Sequence, residues 1–301
     1  MGRQRFGVGR VRLIATMREE ARLPVATIRW YLATFHARFV SVGAIIGALG
    51  HMARAGEAAV SAIREEMRGS PCVHGDETGW REEGSNGAVW TFCTPTARYF
   101  VRGSRAGAMG DAVLGEAFAA VLVSDFSAGY AHDPGVKQKG WAHVLRDVHA
   151  LRVAHERHAS VPAWAAGVQD VYRRAVAWKG GQTVADEGER QRAEIAFMQA
   201  LQALYAPYIE TQAPQRALSQ RMAKHRHELL VFVREPAVPP DNNEAERALR
   251  HLVTSGKISG GRRAAAGSAT KMTLASLFGT WRLPGINPFR ACRPLLISPH
   301  P

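Results

Sequence analysis

Three carboxylates stand where a fold could aim them at one reaction. They are Asp76 in VHGDETGW (73–80), Asp125 in VLVSDFSAGY (121–130) and Glu246 in PPDNNEAERALR (239–250). Phosphodiester chemistry gathers negative charge on the attacking and leaving oxygens. Two divalent ions about 3.5–4 Å apart stabilise both, and one ion makes water a usable nucleophile. Hard ions such as Mg2+ take oxygen ligands and keep several waters, so a few carboxylates suffice. Two Asp on strands and one Glu on a later helix would supply them.

Each acid also has an ordinary reading. Asp76 and Glu77 are neighbours, and neighbours in a strand point to opposite faces. Only one can serve a given site: Asp76 shares a face with Cys72 and His74, and Glu77 is expected beyond the strand end or outside. Asp125 shares its expected face with Val121 and Val123, which is costly unless something pairs with it. Either Asp could instead end a strand and cap a turn. In the third stretch Asp241 followed by Glu244 has the pattern of a capping box, which gives Glu244 a structural role. Glu246 lies about 200° round the helix from Glu244. It falls at the border of the apolar stripe Ala245, Ala248, Leu249 and Leu252, where a half-buried site could use it; the alternative is an i,i+4 pair with Arg250.

Other residues could hold a polyanion. His143, Arg146 and Asp147 share one helical face, and His143 would position a phosphate, touch the metal site, or serve as a hydrogen-bonded structural histidine. Lys257, Arg262 and Arg263 flank Gly260-Gly261, a loop that could clasp a DNA phosphate or be an ordinary solvated turn. Trp80, Trp90, Trp141 and Trp281 suit core packing better than base stacking.

Composition supports a polyanionic partner. The chain has 39 Lys plus Arg against 26 Asp plus Glu, a net charge of +13 and a pI near 10.4, which points to nucleic acid. Three cysteines, Cys72, Cys93 and Cys292, form neither a disulfide framework nor paired CxxC clips. The start lacks the pattern of a signal peptide, and the apolar stretch 39–50 is too short to span a bilayer. The expected location is a reducing cytoplasm, without membrane association.

The elements that must position these residues read as follows. Residues 1–70 are a basic helical segment, with Pro24 in the first turn of its second helix and Ser41 capping the third; it would be a helix-turn-helix or a helical collar. CVHGD, AVWTFCT (88–94) and RYFVRG (98–103) are three antiparallel strands. Residues 106–120 follow as a helix and 121–126 as a buried strand. The core's first part is 71–140. From 137 the pattern is helical without sheet signals, giving a helical insertion over 141–236. Residues 237–301 hold the last part of the core, with a helix over 270–281 and a proline-rich tail.

VHGDETGWR, VLVSDFSAGY, KQKGWAHVLRDVHAL, and DNNEAERALR followed by GKISGGRR and LASLFGTWRLPGINPF together resemble the DDE transposases of the insertion-sequence-sixty-six type. The resemblance runs from about residue 10 to the C-terminus, and DNN-x-AER with the following K-x-SGG is its most specific part. It implies an α/β, RNase H-like mixed sheet with flanking helices, a helical N-terminal segment, and a large helical insertion before the last catalytic helix. It implies Asp76, Asp125 and Glu246 as catalytic metal ligands, with Mg2+ or Mn2+ as cofactor. The implied partners are transposon-end DNA and target DNA, bound by a homo-oligomer at the nucleoid. The implied reaction is hydrolysis at the transposon ends and attack of the freed 3′ hydroxyl on target DNA; a nuclease with the same core, or a non-catalytic DNA-binding relic or regulator, are the alternatives. Members of that family generally begin with a zinc-binding cysteine cluster and a DNA-binding segment, so the expectation here is a shortened copy. Where the family often has Cys before Trp-Ala-His, this chain has Gly140.

Overall fold

The structure, a computed structural model, describes residues 6–104, 109–116, 118–130, 135–181, 185–258 and 264–297. The chain opens with four helices, α1 (Val8–Glu19), α2 (Val25–His36), α3 (Val42–Ala55) and α4 (Glu57–Arg68). Strands β1 (Cys72–Glu82), β2 (Ser85–Cys93) and β3 (Arg98–Gly103) follow, then the short helix α5 (Met109–Leu114) and strands β4 (Val121–Ser124) and β5 (Val136–Lys139). Helices α6 (Trp141–Ala154), α7 (Val161–Gly181), α8 (Glu187–Tyr205), α9 (Arg216–Lys224) and α10 (Val231–Arg234) come next. The chain closes with α11 (Asn243–Ile258), α12 (Ala265–Arg282) and α13 (Pro288–Ile297). The class is α/β, with antiparallel and parallel strand pairing and many helices, as an RNase H-like core with flanking helices requires. Two compact units are distinguished. One holds the described residues up to Glu116 and from Glu244 onward; the other holds those from 118 to Tyr130 and from 135 to Asn243.

The first unit is built on the β1–β2–β3 meander. Glu83 and Gly84 both take positive φ, 51° and 81°, which is the turn whose twist matches a two-residue hairpin. It sets the register from His74 opposite Cys93 to Glu82 opposite Ser85. β3 pairs with β2 from Ala88 opposite Gly103 to Cys93 opposite Arg98. Unpaired amides on the other side of β3 would be exposed hydrogen-bonding groups. Helix α12 meets them with hydroxyls: Arg98 N donates to Thr280 Oγ1 at 3.0 Å, and Phe100 N to Ser276 Oγ at 2.9 Å. The match is geometric, because two residues of strand and four of helix both advance about 6–7 Å. On the same face Trp80, Val89 and Phe100 pack against Leu249 and Leu252 of α11 and Met272 and Ala275 of α12.

The N-terminal helices join this unit through buried polar contacts as well as packing. Ser41 caps α3, its Oγ accepting from Ala44 N at 3.1 Å; Pro24 sits at the cap of α2, one residue before the first turn. Glu19, buried at the end of α1, meets Lys271 of α12 at 2.5 Å, and both side chains are within 5% of full burial. His251 of α11 donates from Nε2 to Glu19 O at 3.0 Å.

In the second unit β4 and β5 run parallel, with Ser124 opposite Lys139. Buried Gln138 fixes β5 to the segment before and within α10: its Nε2 donates to Leu229 O at 3.1 Å and its Oε1 accepts from Phe232 N at 2.9 Å. Trp141 begins α6 fully buried, its Nε1 donating to Leu229 O at 2.5 Å. α7 and α8 pack closely at Gly167, where a β-carbon would fall 2.8 Å from Leu204 Cδ2. Asp186 and Glu189 form a reciprocal capping box at the start of α8.

Five expectations need correction. β1 does not stop at Asp76 but runs to Glu82, because the hairpin turn lies at 83–84 and every residue between is paired; Glu77 is therefore inside the strand, half-buried, on the face opposite Asp76. The helix expected over 106–120 is Met109–Leu114 among the described residues, ended by Gly115 at φ 88°. β4 ends at Ser124, so Asp125 lies just past the strand rather than in it. Residues 137–139 belong to a strand, not a helix; Val-Lys-Gln-Lys has no apolar repeat to reveal one. The tail contains α13, with Pro294 inside it.

Two outcomes follow for this unit. Lys271→Ala, which leaves a buried carboxylate without its cation, should destabilise by about 3–5 kcal/mol, read from urea unfolding, with Glu19→Leu/Lys271→Met restoring most of it. Burial, then the charge of Arg282, hold His251 below the ordinary histidine pKa. The unfolded chain therefore binds the proton first, and stability should fall as pH drops below about 6.5; in His251→Gln that slope, followed by thermal unfolding, should flatten.

Candidate active site

Asp125 sits at the carboxyl end of a parallel strand, where α/β folds commonly place their ligands. Its backbone is held from below by Lys139. That ammonium, on the last residue of β5 and buried, donates to Asp125 O at 2.9 Å and to Ser124 Oγ at 3.1 Å. Gly140 N donates to Ser124 O at 3.0 Å. The carboxylate itself meets His143 of α6: Asp125 Oδ2 lies 2.9 Å from His143 Nε2. The other oxygen, Oδ1, is shielded from solvent and meets no hydrogen-bond donor among the described residues.

One of these features suits a divalent ion. The 2.9 Å between Asp125 Oδ2 and His143 Nε2 is the spacing of an ordinary ion pair, and hard ions take the carboxylate rather than the imidazole. A carboxylate oxygen without a donor keeps its lone pairs for a cation. The residues therefore fit the metal the resemblance implies.

In the first unit, Asp76 is half-buried and lies directly opposite Thr91 of β2, which lies opposite Phe100 of β3. Opposed residues share a face, so Asp76 looks to the side where Phe100 and Trp80 pack on α11 and α12. Its Oδ1 accepts from Glu77 N at 2.8 Å. Glu246 is in the first turn of α11, half-buried, beside the stripe of Ala245, Leu249 and Leu252. One strand row away is the buried Cys93 thiol, pushed up to about 11 by burial, drawn down by Arg98 and pushed up again by Glu244 and Asp76. Asp76 and the start of α11 are thus neighbours on one face of the meander.

Glu244 is not the capping partner expected of it. α11 begins at Asn243, and Asp241 Oδ1 accepts from Asn243 N at 3.1 Å. Glu244 instead pairs with buried Arg98 at 2.5 Å and with Arg247 at 3.0 Å. A structural role for Glu244 thus rests on ion pairs rather than on capping.

Among the remaining candidates, Arg146 is exposed on α6 and Lys257 is exposed near the end of α11; Arg262 and Arg263, with Gly260-Gly261, lie outside the described residues. Asp147 pairs with Arg221 at 2.7 Å. Trp80, Trp90 and Trp141 are buried core residues and Trp281 is half-buried against Phe278. Sequence reasoning missed Lys139 and Arg221. A lysine between two polar residues gives no sign that it will be buried, and Arg221 is one arginine among many.

Residues 5–270 match the protein-family description Transposase IS66 family. The chain belongs to that family. No curated protein matches it. No helix among the described residues is long and apolar enough to cross a membrane.

Replacing the buried ammonium tests how Asp125 is held. Lys139→Ala removes a charged donor from Ser124 and from the Asp125 carbonyl, and should cost about 1.5–3 kcal/mol in urea unfolding; an unchanged midpoint would mean that the ammonium does not secure this strand end.

Proposed function

We propose that the protein is a DNA transposase that cuts at transposon ends and joins the freed 3′ ends to target DNA. Asp76, Asp125 and Glu246 are its metal-binding acids and Mg2+ or Mn2+ its cofactor. The observation that carries this reading is the Asp125 carboxylate, with one oxygen against His143 and the other without a donor, in a chain of a transposase family. When bound, the ions would polarise the scissile phosphate and make water or a 3′ hydroxyl a competent nucleophile.

The chain's own residues have distinct tasks in this scheme. Asp125 offers a donor-free oxygen, His143 lies beside the other, and Lys139 holds the strand end that presents them. Asp76 and Glu246 supply the remaining carboxylates. Glu244 is committed to Arg98 and Arg247, and Glu246 is the acid of this stretch that the resemblance assigns to the metal. In the first step water adds to phosphorus as the P–O3′ bond breaks. In the second the new 3′ hydroxyl attacks a target phosphodiester, one P–O bond forming as another breaks. Bond count is conserved, so neither a covalent protein–DNA intermediate nor an external energy source is needed. Two ends must be cut and brought to one target, which a homo-oligomer on DNA would accomplish. The net charge of +13 favours such a polyanionic substrate.

The test is strand transfer with the element's own terminal DNA and Mn2+. Asp76→Asn, Asp125→Asn and Glu246→Gln should each lower cleavage and joining by roughly 10²–10³-fold or more, with unfolding curves unchanged. Cleavage without joined product from pre-cut 3′ hydroxyl ends would make it a nuclease. DNA binding with no metal-dependent cutting would make it a relic or regulator, and either result overturns the proposal.

A further inference from the structure

Helices α6 and α9 pack against each other in the second unit, and their charge is one-sided. α6 carries Arg146 and Arg152 with Asp147 as its one acid, and α9 carries Arg216, Arg221 and Lys224 with none. Asp147 is already engaged, accepting from Arg221 Nη2 at 2.7 Å. The Arg221 guanidinium is fixed a second time, its Cζ 4.8 Å from the ring centre of Phe126. Phe126 is the residue after Asp125. Arg221 Nε is shielded from solvent and meets no acceptor among the described residues. An unmet, shielded N–H is costly, and the side chain as a whole keeps 28% of its surface exposed, so an anion can reach the guanidinium from outside. A guanidinium oriented at two points is suited to phosphate because its planar fork loses little freedom on binding.

We propose that Arg221 is a DNA-backbone clamp: it takes a phosphate of the strand lying over α6 and α9, beside Asp125. Arg146, Arg152 and Lys224 are exposed on the same two helices. Several cations on adjacent helices suit a polyanion, whereas a small anion would need only one of them. The choice of DNA as ligand rests on the transposase reading. Binding without metal or cutting separates the two, since a chain that binds through Arg221 but never cuts would leave this inference standing and retire that one.

The experiment is fluorescence anisotropy with labelled duplex DNA in EDTA, over a salt series. Arg221→Gln should weaken binding and reduce the slope of log affinity against log salt by about 0.9, the loss of one phosphate contact. Asp147→Asn, which removes a negative charge while keeping an oxygen that can accept from the guanidinium, should bind at least as tightly as the unmodified protein. Arg173→Gln, an exposed arginine on α7 paired with Asp170, should leave the slope unchanged. Unchanged affinity and slope in Arg221→Gln would overturn the inference. So would equal losses of binding and stability in Arg221→Gln and Asp147→Asn, because Arg221 would then serve only to tie α9 to α6.

Discussion

A carboxylate taken out of water needs a cation or hydrogen-bond donors, and the way each acid here meets that need sorts structural acids from candidate ligands. Glu19 is the structural extreme. It is almost fully buried and neutralised by Lys271, a permanent cation brought from the other end of the chain. Its second oxygen also meets no donor among the described residues, so an orphaned oxygen alone does not mark a ligand. What distinguishes Asp125 is its partner. An imidazole nitrogen can itself be a metal ligand, so the Asp125–His143 pair retains a capacity for a cation that Glu19–Lys271 has already used.

Helix α11 shows how one stretch carries both kinds of acid. Its apolar stripe, Leu249 and Leu252, packs with Trp80 and Phe100 and fixes the helix on the meander. That packing determines what the first turn presents. Glu244 falls beside buried Arg98, whose guanidinium also donates to Thr94 O and Ala97 O, and the pair closes the end of β3. Glu246 lies far round the same turn, half-buried beside the stripe. The hydroxyls of α12 on the outer amides of β3 serve the same end, since a meander with its edge satisfied presents Asp76 on a rigid strand.

Much of this was legible in the sequence because it rests on short-range chemistry. Ser41 before an apolar repeat reads as a cap, alternating aromatic and β-branched residues read as strands, and the stripe of α11 reads from its spacing. The candidate acids were singled out by the resemblance more than by spacing, since a single Asp at a strand end has many uses. What was not legible depended on tertiary partners. β5 is Val-Lys-Gln-Lys, with no apolar alternation; it is a strand because Gln138 and Lys139 find buried partners in Leu229, Phe232, Ser124 and Asp125. The length of β1 was hidden because Glu83-Gly84 is a weaker hairpin signal than Asn-Gly. Arg221 stands out only once Phe126 and Asp147 are seen around it.

Gly140 joins these threads. It closes β5, donates its amide to Ser124 O and opens the way into α6, so it lies where the backbone turns beside Asp125. A β-carbon at this position would fall 3.5 Å from Asp125 Oδ1 and 3.5 Å from Asn242 Cβ, which is ordinary van der Waals contact. A side chain no larger than a methyl group can therefore enter without moving the backbone. A long one would project from a point already touching the donor-free oxygen and compete for the space an ion or phosphate must use. The requirement at position 140 is one of size, and it comes from the carboxylate it borders.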